Sequence, residues 1–352
     1  MADISKIDKN FKVETKINKE GLLFRNADEA CFKLHGVYRD GEKYRRLPES
    51  VAKASNSGVH GLHANTAGGR IRFVTNSAYV AISAKMSGVG KMSHFPLTGS
   101  VGFDLYEKKD GRQIYLKSFI PPFDVTDGYE SLVELGEARV RELTINFPLY
   151  SNVDQLFIGL DEKASVSPAP DYTYPVPVVY YGSSITQGGC ASRPGNAYQA
   201  MVSNWLDCDH INLGFSGSAR GEDAIVDYMS TLDMSVFVCD YDYNAPNSEH
   251  LRATHEPLYK KIRAANPDLP IVFMTVPSSR LVPDRKICFD IIKATYENAV
   301  AAGDKNVYFI PGYELISDCD EDIATVDTCH PNDYGFYCMA KRVAEELKKI
   351  LK

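Results

Sequence analysis

Val176-Pro177-Val178-Val179-Tyr180-Tyr181-Gly182-Ser183-Ser184-Ile185-Thr186-Gln187-Gly188 is the stretch that decides the fold. Its first seven residues form a short run rich in β-branched and aromatic side chains, which predicts a buried strand over 176–182. The run passes without a spacer into Gly-Ser-Ser and a second glycine, the composition of a tight strand-to-helix turn. The same alternation continues downstream. Apolar runs at 210–214, 235–241, 269–276 and 306–310 are separated by segments of helical period at 196–207, 222–231, 249–265 and 285–302. A last helix from about residue 333 carries Phe336, Met339, Ala340, Val343, Leu347 and Ile350 near helical spacing. Alternating β and α segments predict a parallel sheet, here of five strands, with helices on both faces.

Upstream of this region the period is two. Ile71 and Phe73 alternate with Arg70 and Arg72, and Val80, Ile82, Ala84 and Met86 with Ala81, Ser83 and Lys85. Segments 101–107 and 112–119 flank Asp110-Gly111, a hairpin-turn dipeptide. Leu143, Ile145 and Phe147, then Leu156, Ile158 and Leu160, repeat the alternation. Short period-2 strands with turns between them predict an antiparallel β-sandwich of jelly-roll type. The expected organisation is therefore α/β with two domains: a β-sandwich over 1–165 and a three-layer α/β/α domain over 166–352, joined through the Pro- and Ser-containing stretch 161–175.

A chain of 352 residues with 44% apolar and 24% charged residues buries full cores without staples. A net charge of −7 argues against nucleic acid or an anionic membrane as partner. No run approaches the roughly 18 apolar residues of a membrane span. The N-terminal decapeptide alternates charged and apolar residues and lacks a signal-peptide core, so the expected compartment is the cytoplasm. The eight cysteines include no Cys-x-x-Cys pair, which predicts reduced, mostly buried thiols and no structural zinc.

Ligands of open α/β sheets bind beyond the carboxyl ends of the strands. Four segments fall there. Gly182-Ser183-Ser184 can lift a serine hydroxyl clear of the sheet, or supply ordinary serine caps. Asn212 to Gly221 contains three glycines whose neighbours' N–H groups can approach a ligand, or simply form a turn. In Asp240-Tyr241-Asp242-Tyr243-Asn244, the asparagine amide can donate to an oxyanion, or close an Asx-turn before Pro246. Asp327-Thr328-Cys329-His330 places a carboxylate where it can fold back onto Nδ1 and leave Nε2 as a base. The alternative is a loop histidine ahead of a helix capped by Asn332 or Asp333.

In the order Ser, Gly, Asn, Asp-x-x-His, these segments resemble the SGNH (GDSL-type) hydrolase family over nearly all of 176–352. The resemblance reads Gly182-Ser183-Ser184-Ile185 as the Gly-Asp-Ser-Leu-like block, with Ser183 in place of the frequent Asp, and so selects Ser184 as nucleophile. It implies Asp327 and His330 as catalytic partners. The implied oxyanion donors are Ser184 N–H, Gly217 N–H and the Asn244 side chain, although the third block reads Asp242-Tyr243-Asn244-Ala245 where Gly-x-Asn-Asp is usual. Gly102-Phe103-Asp104-Leu105-Tyr106 looks like the Gly-x-Asp-Leu-Tyr hallmark of a bacterial subgroup with an N-terminal β domain. That subgroup implies a serine carbohydrate esterase that deacetylates xylo- or manno-oligosaccharides through an acyl-serine, with no metal or organic cofactor. An esterase for other short-chain acyl esters and a non-catalytic carbohydrate-binding protein are the alternatives. The partner is a small-molecule or oligosaccharide ester, with no nucleic acid or membrane, and a homo-oligomer is open.

Five further sites complete the reading. Arg193, just past the nucleophile turn, is a candidate for binding sugar hydroxyls or for bracing the loop. Cys190 reads as a packing residue. His60, His63 and His94 are expected to face solvent or cap turns. Trp205 belongs to a helix core, and Asp104 is a structural hydrogen-bonding residue.

Overall fold

A computed structural model describes residues 16–280, 282–318 and 320–351; the N-terminal decapeptide and Cys319 lie outside them. The period-2 segments of the first half are strands β1 (Leu22–Asn26), β2 (Lys33–His35), β3 (Tyr38–Asp40), β4 (Lys43–Arg45), β5 (Arg70–Thr75), β6 (Tyr79–Lys85), β7 (Phe103–Lys109), β8 (Arg112–Phe119), β9 (Gly128–Glu134), β10 (Arg141–Asn146), β11 (Gln155–Asp161) and β12 (Val166–Pro168). One antiparallel sheet has the order β1-β11-β6-β9 and a second the order β12-β5-β10-β7-β8, with β2 also on β5. Register follows the apolar alternation: Ile145 of β10 stands opposite both Ile71 and Leu105, and Leu143 opposite Phe73. These side chains meet Val80, Ile82, Leu156 and Ile158 of the other sheet in one buried core. Asp110 and Gly111 both take positive φ, 52° and 77°, as a two-residue turn between β7 and β8 requires.

The second half carries β13 (Tyr174–Gly182), β14 (Cys208–Gly214), β15 (Val236–Asp240), β16 (Ile271–Met274) and β17 (Val307–Ile310), all parallel, in the order β14-β13-β15-β16-β17. Helices Asp223–Ser230, Ser248–Ala265 and Pro283–Ala301 bury one face of the sheet, and Tyr198–Leu206 and Asp333–Ile350 the other. The chain leaves β13 for β14 on one side and reaches β15 on the other, so the crevice for ligands opens at the end of β13.

Two features cross the expected boundary at 165/166. Residues 166–168, inside the stretch read as a linker, form β12 and pair with β5. Helices Glu49–Ser55 and Ser57–Leu62, which sequence reading missed, place Ala52 and Val59 in the core of the parallel sheet's domain, beside Leu47. The polar face of β5 is buried for the same reason: Arg70 donates to Tyr172 Oη (2.8 Å) and the His210 carbonyl (3.1 Å), and pairs with Asp209. Cys31, Cys190, Cys208, Cys239, Cys288 and Cys329 are free thiols. Cys338 on the last helix is disulfide-bonded, which departs from the expectation of reduced thiols throughout. Among the described residues no helix is long and apolar enough to cross a membrane.

Candidate active site

The buried strand β13 ends at Gly182, where a side chain is impossible: a Cβ there would lie 1.5 Å from Asp240 Oδ1 and 2.6 Å from Thr186 Oγ1. The closeness lets Ser183 turn the chain immediately. Its side chain caps the one-turn helix Ser184–Gln187 by accepting from the Ile185 N–H at 3.2 Å. Each serine of the pair thus has one of the two roles read from the sequence: Ser183 caps and Ser184 projects. Ser184 Oγ lies 2.9 Å from His330 Nε2. His330 Nδ1 is 2.7 Å from Asp327 Oδ2, while Asp327 Oδ1 accepts the N–H groups of His330 (2.7 Å) and Cys329 (3.1 Å). Partial burial pushes the Asp327 carboxyl up, but the backbone and ring of His330 outweigh it and hold the group below the usual aspartate range. The ionised carboxylate therefore accepts the Nδ1 proton, and Nε2 is left to accept from Ser184. Three residues from the two ends of the domain make a proton-transfer chain of hydrogen-bond length.

Gly217 and Asn244 lie on the loops after β14 and β15. Gly217 has φ +64°, with open space where a side chain would stand. Asn244 Nδ2 donates to the Phe215 carbonyl at 2.9 Å, which ties the asparagine to the glycine loop and leaves its second amide proton.

A family model of GDSL-like lipases/acylhydrolases matches residues 176–352. The chain belongs to this family. A second model, for the N-terminus of SGNH-hydrolase-type esterases, matches residues 22–166, and the hallmark Gly102 to Tyr106 lies within it. Among solved structures, a Bacteroides ovatus ATCC 8483 protein described as a GDSL-like lipase is 27% identical, with TM-score 0.85, over 94% of this chain and 98% of that one. The salicylyl-acyltransferase SsfX3 of a tetracycline biosynthetic pathway is 17% identical with TM-score 0.77, again over 94% and 98%. A family two carbohydrate esterase from Clostridium thermocellum, solved with cellohexaose, is 14% identical with TM-score 0.61 over the same shares. The last two share the fold. A comparison with curated proteins gives no match.

Other residues of this acylhydrolase take places the sequence did not mark. Gln187 accepts from the Ser216 N–H (3.0 Å) and donates to Asn65 Oδ1 (3.1 Å), locking the helix Ser184–Gln187 to the glycine loop and to the β-sandwich. Tyr150, also from the sandwich, donates to the carbonyl of Ser184 at 3.2 Å. Arg46 is buried and reaches four backbone carbonyls: Asn65 (2.6 Å), Leu62 (3.0 Å), Asn212 (3.1 Å) and Gly214 (2.8 Å). The last two belong to β14, directly before the glycine loop. Beneath Ser184, burial pushes the Asp240 carboxyl up to about 8 despite donation from Thr186 and the Ser183 N–H.

Of the two readings of Arg193, the contacts support bracing. Its guanidinium sits 3.9 Å from the Tyr115 ring centroid, Nε donates to Tyr106 Oη at 3.3 Å, and Asp104 Oδ2 is 3.8 Å away. The side chain thus faces the β-sandwich, to which the chain turns at Pro194. Asp104 is fully buried, accepting from the Gly195 N–H and Asn146 Nδ2, both at 2.8 Å, so the hallmark aspartate holds the loop that follows the helix Ser184–Gln187. His63, expected to face solvent or cap a turn, is buried and caps the C-terminus of the helix Ser57–Leu62, with Nδ1 2.6 Å from the His60 carbonyl. His94 is exposed as expected, but its ring centroid lies 5.9 Å from that of His330. Nothing in the local sequence could foretell that approach, since the two residues sit in different domains.

Proposed function

We propose that the protein is a serine esterase in which Ser184, His330 and Asp327 form the catalytic triad. The observation that carries this reading is the continuous chain Ser184 Oγ–His330 Nε2–His330 Nδ1–Asp327 Oδ2, with links of 2.9 and 2.7 Å. His330 takes the Ser184 proton as Oγ attacks the ester carbonyl, and Asp327 stabilises the imidazolium. The N–H groups of Ser184 and Gly217 and the free amide proton of Asn244 receive the developing oxyanion. His330 then protonates the leaving alcohol. Water, activated the same way, breaks the Ser184 acyl bond and releases the acid. The scheme requires no metal or organic cofactor.

The proposed substrates are acetylated oligosaccharides such as xylo- or manno-oligosaccharides. Asp327 and His330 side chains keep 34% and 23% of their exposure, so the His–Asp side of the site is open to solvent while Ser184 is buried. Such an opening suits a small acyl group placed against the glycine loop and a bulky, soluble alcohol left outside. The fold shared with the Clostridium thermocellum carbohydrate esterase points the same way.

Acetate release from acetylated xylo- and manno-oligosaccharides, compared with p-nitrophenyl esters of increasing acyl length, tests the reading. Ser184→Ala is expected to lower kcat by roughly 10⁵–10⁶. Near-native activity in that variant removes the nucleophile assignment. Faster turnover of long acyl chains than of acetyl removes the substrate class and leaves the triad standing.

A further inference from the structure

One cluster beside the triad joins His330 to two residues that the esterase mechanism does not use, His94 and Cys190. His94, Cys190 and His330 come from three separate segments, and each offers a ligand atom within 4.8 Å of the others. We propose that they form an inhibitory site for a borderline-soft divalent cation, with zinc the best fit. Binding is independent of the esterase reading; inhibition rests on it.

The donor set is one thiol and two imidazoles with no carboxylate. That set favours Zn²⁺ or Co²⁺ over Mg²⁺ or Ca²⁺, which prefer oxygen. Three protein ligands and one solvent position are a common zinc arrangement, with bonds of about 2.0–2.3 Å. His94 is exposed, whereas His330 is held by Asp327 and Ser184. Cys190 is buried, and its N–H donates to the Pro331 carbonyl at 3.0 Å, one residue past His330. Ser192 N–H donates to Asp333 Oδ1 at 2.8 Å, fastening the same two segments again. The His94 segment is held as well: Phe95 packs edge-on against Tyr150 at 5.2 Å. The three segments are thus already assembled, which lowers the ordering cost of binding.

His330 is oriented for this role. Asp327 occupies Nδ1, the carboxylate–histidine arrangement that supports metal-bound imidazoles, so Nε2 is the ligand atom. Nε2 is also the atom that accepts the Ser184 proton. On binding, the Cys190 Sγ–H bond breaks, its proton passes to solvent, and a metal–sulfur bond forms. The Nε2 lone pair goes to the cation, and no electron is transferred. The base is occupied for as long as the cation stays, and a chelator restores it.

The test uses the full chain with zinc chloride and, separately, cobalt chloride. Inhibition by zinc is read on p-nitrophenyl acetate, and cobalt binding on the thiolate-to-cobalt absorption band. The expected result is reversible zinc inhibition and a cobalt band that vanishes in Cys190→Ser. His94→Ala, with basal turnover unchanged, should raise the half-inhibitory zinc concentration at least tenfold, in the range of lost support around metal sites. Zinc sensitivity equal to wild type in His94→Ala overturns the proposal, as does cobalt binding without the thiolate band. If Cys190→Ser fails to fold, His94→Ala decides alone. A chain that shows the cobalt band but hydrolyses no ester would keep the metal site and refute the esterase reading.

Discussion

Asp327→Asn separates the fold of the catalytic loop from its chemistry. In the native protein Oδ1 accepts the N–H groups of Cys329 and His330, and Oδ2 faces His330 Nδ1. An asparagine can keep its oxygen on the two N–H groups, so the loop should hold its shape. Its amide then presents protons to Nδ1, which forces the imidazole proton onto Nε2. Nε2 becomes a donor to Ser184 and can no longer take its proton. By comparison with the same change in dissected triads, kcat should fall by about 10⁴, equal to about 5 kcal/mol of transition-state stabilisation. The assay is steady-state hydrolysis of p-nitrophenyl acetate with thermal melting of both proteins in parallel. KM and melting temperature should stay near wild type. Asp327→Ala should lose activity and melting temperature together, because it also abandons the two backbone N–H groups. A drop below tenfold for Asp327→Asn would show that His330 does not depend on Asp327 for its tautomer.

Asn244→Ala should lower kcat by about 10²–10³ with little change in KM, the cost of one oxyanion donor, and an unchanged rate would confine the asparagine to its Phe215 contact. Arg46→Lys preserves charge but, with three N–H donors, cannot serve four carbonyls; leaving at least one buried acceptor unpaired should cost about 1–3 kcal/mol in urea unfolding, and an unchanged midpoint would refute the strut role. Asp240→Asn tests the raised carboxyl beneath the nucleophile. The folded value of about 8 exceeds the ordinary one, so this group adds no penalty below about 4, erodes stability as pH rises, and levels off above its folded value. The melting temperature of Asp240→Asn relative to wild type should therefore rise between pH 5 and pH 8.5, and parallel curves would show that Asp240 ionises freely.

The parallel sheet was legible because its strands are buried on both faces and read as apolar runs, so β13 to β17 all fall on predicted segments. Asp327 and His330 were legible because their contact is local, three residues apart. Their meeting with Ser184, across 146 residues, came from the resemblance and was not deducible from spacing. Arg46, Gln187 and Tyr150 were hidden for a physical reason: each acts on a backbone group of another segment, and backbone groups leave no mark in a sequence. The helices at 49–62 escaped notice because Ser-Gly and His-Gly pairs weaken their helical signal, and tertiary packing outweighs that weakness. Arg193 was open to two readings because its partners lie in the other domain, which its neighbours in sequence do not reveal.

The helices Glu49–Ser55 and Ser57–Leu62 carry a consequence for heredity. They spring from the β half of the gene yet cover hydrophobic surface of the sheet encoded by the other half. A recombination joining a foreign leading segment near codon 170 would strip that cover and the Arg46 anchor in one stroke. The two parts must travel as a unit, since neither keeps its hydrophobic cover without the other.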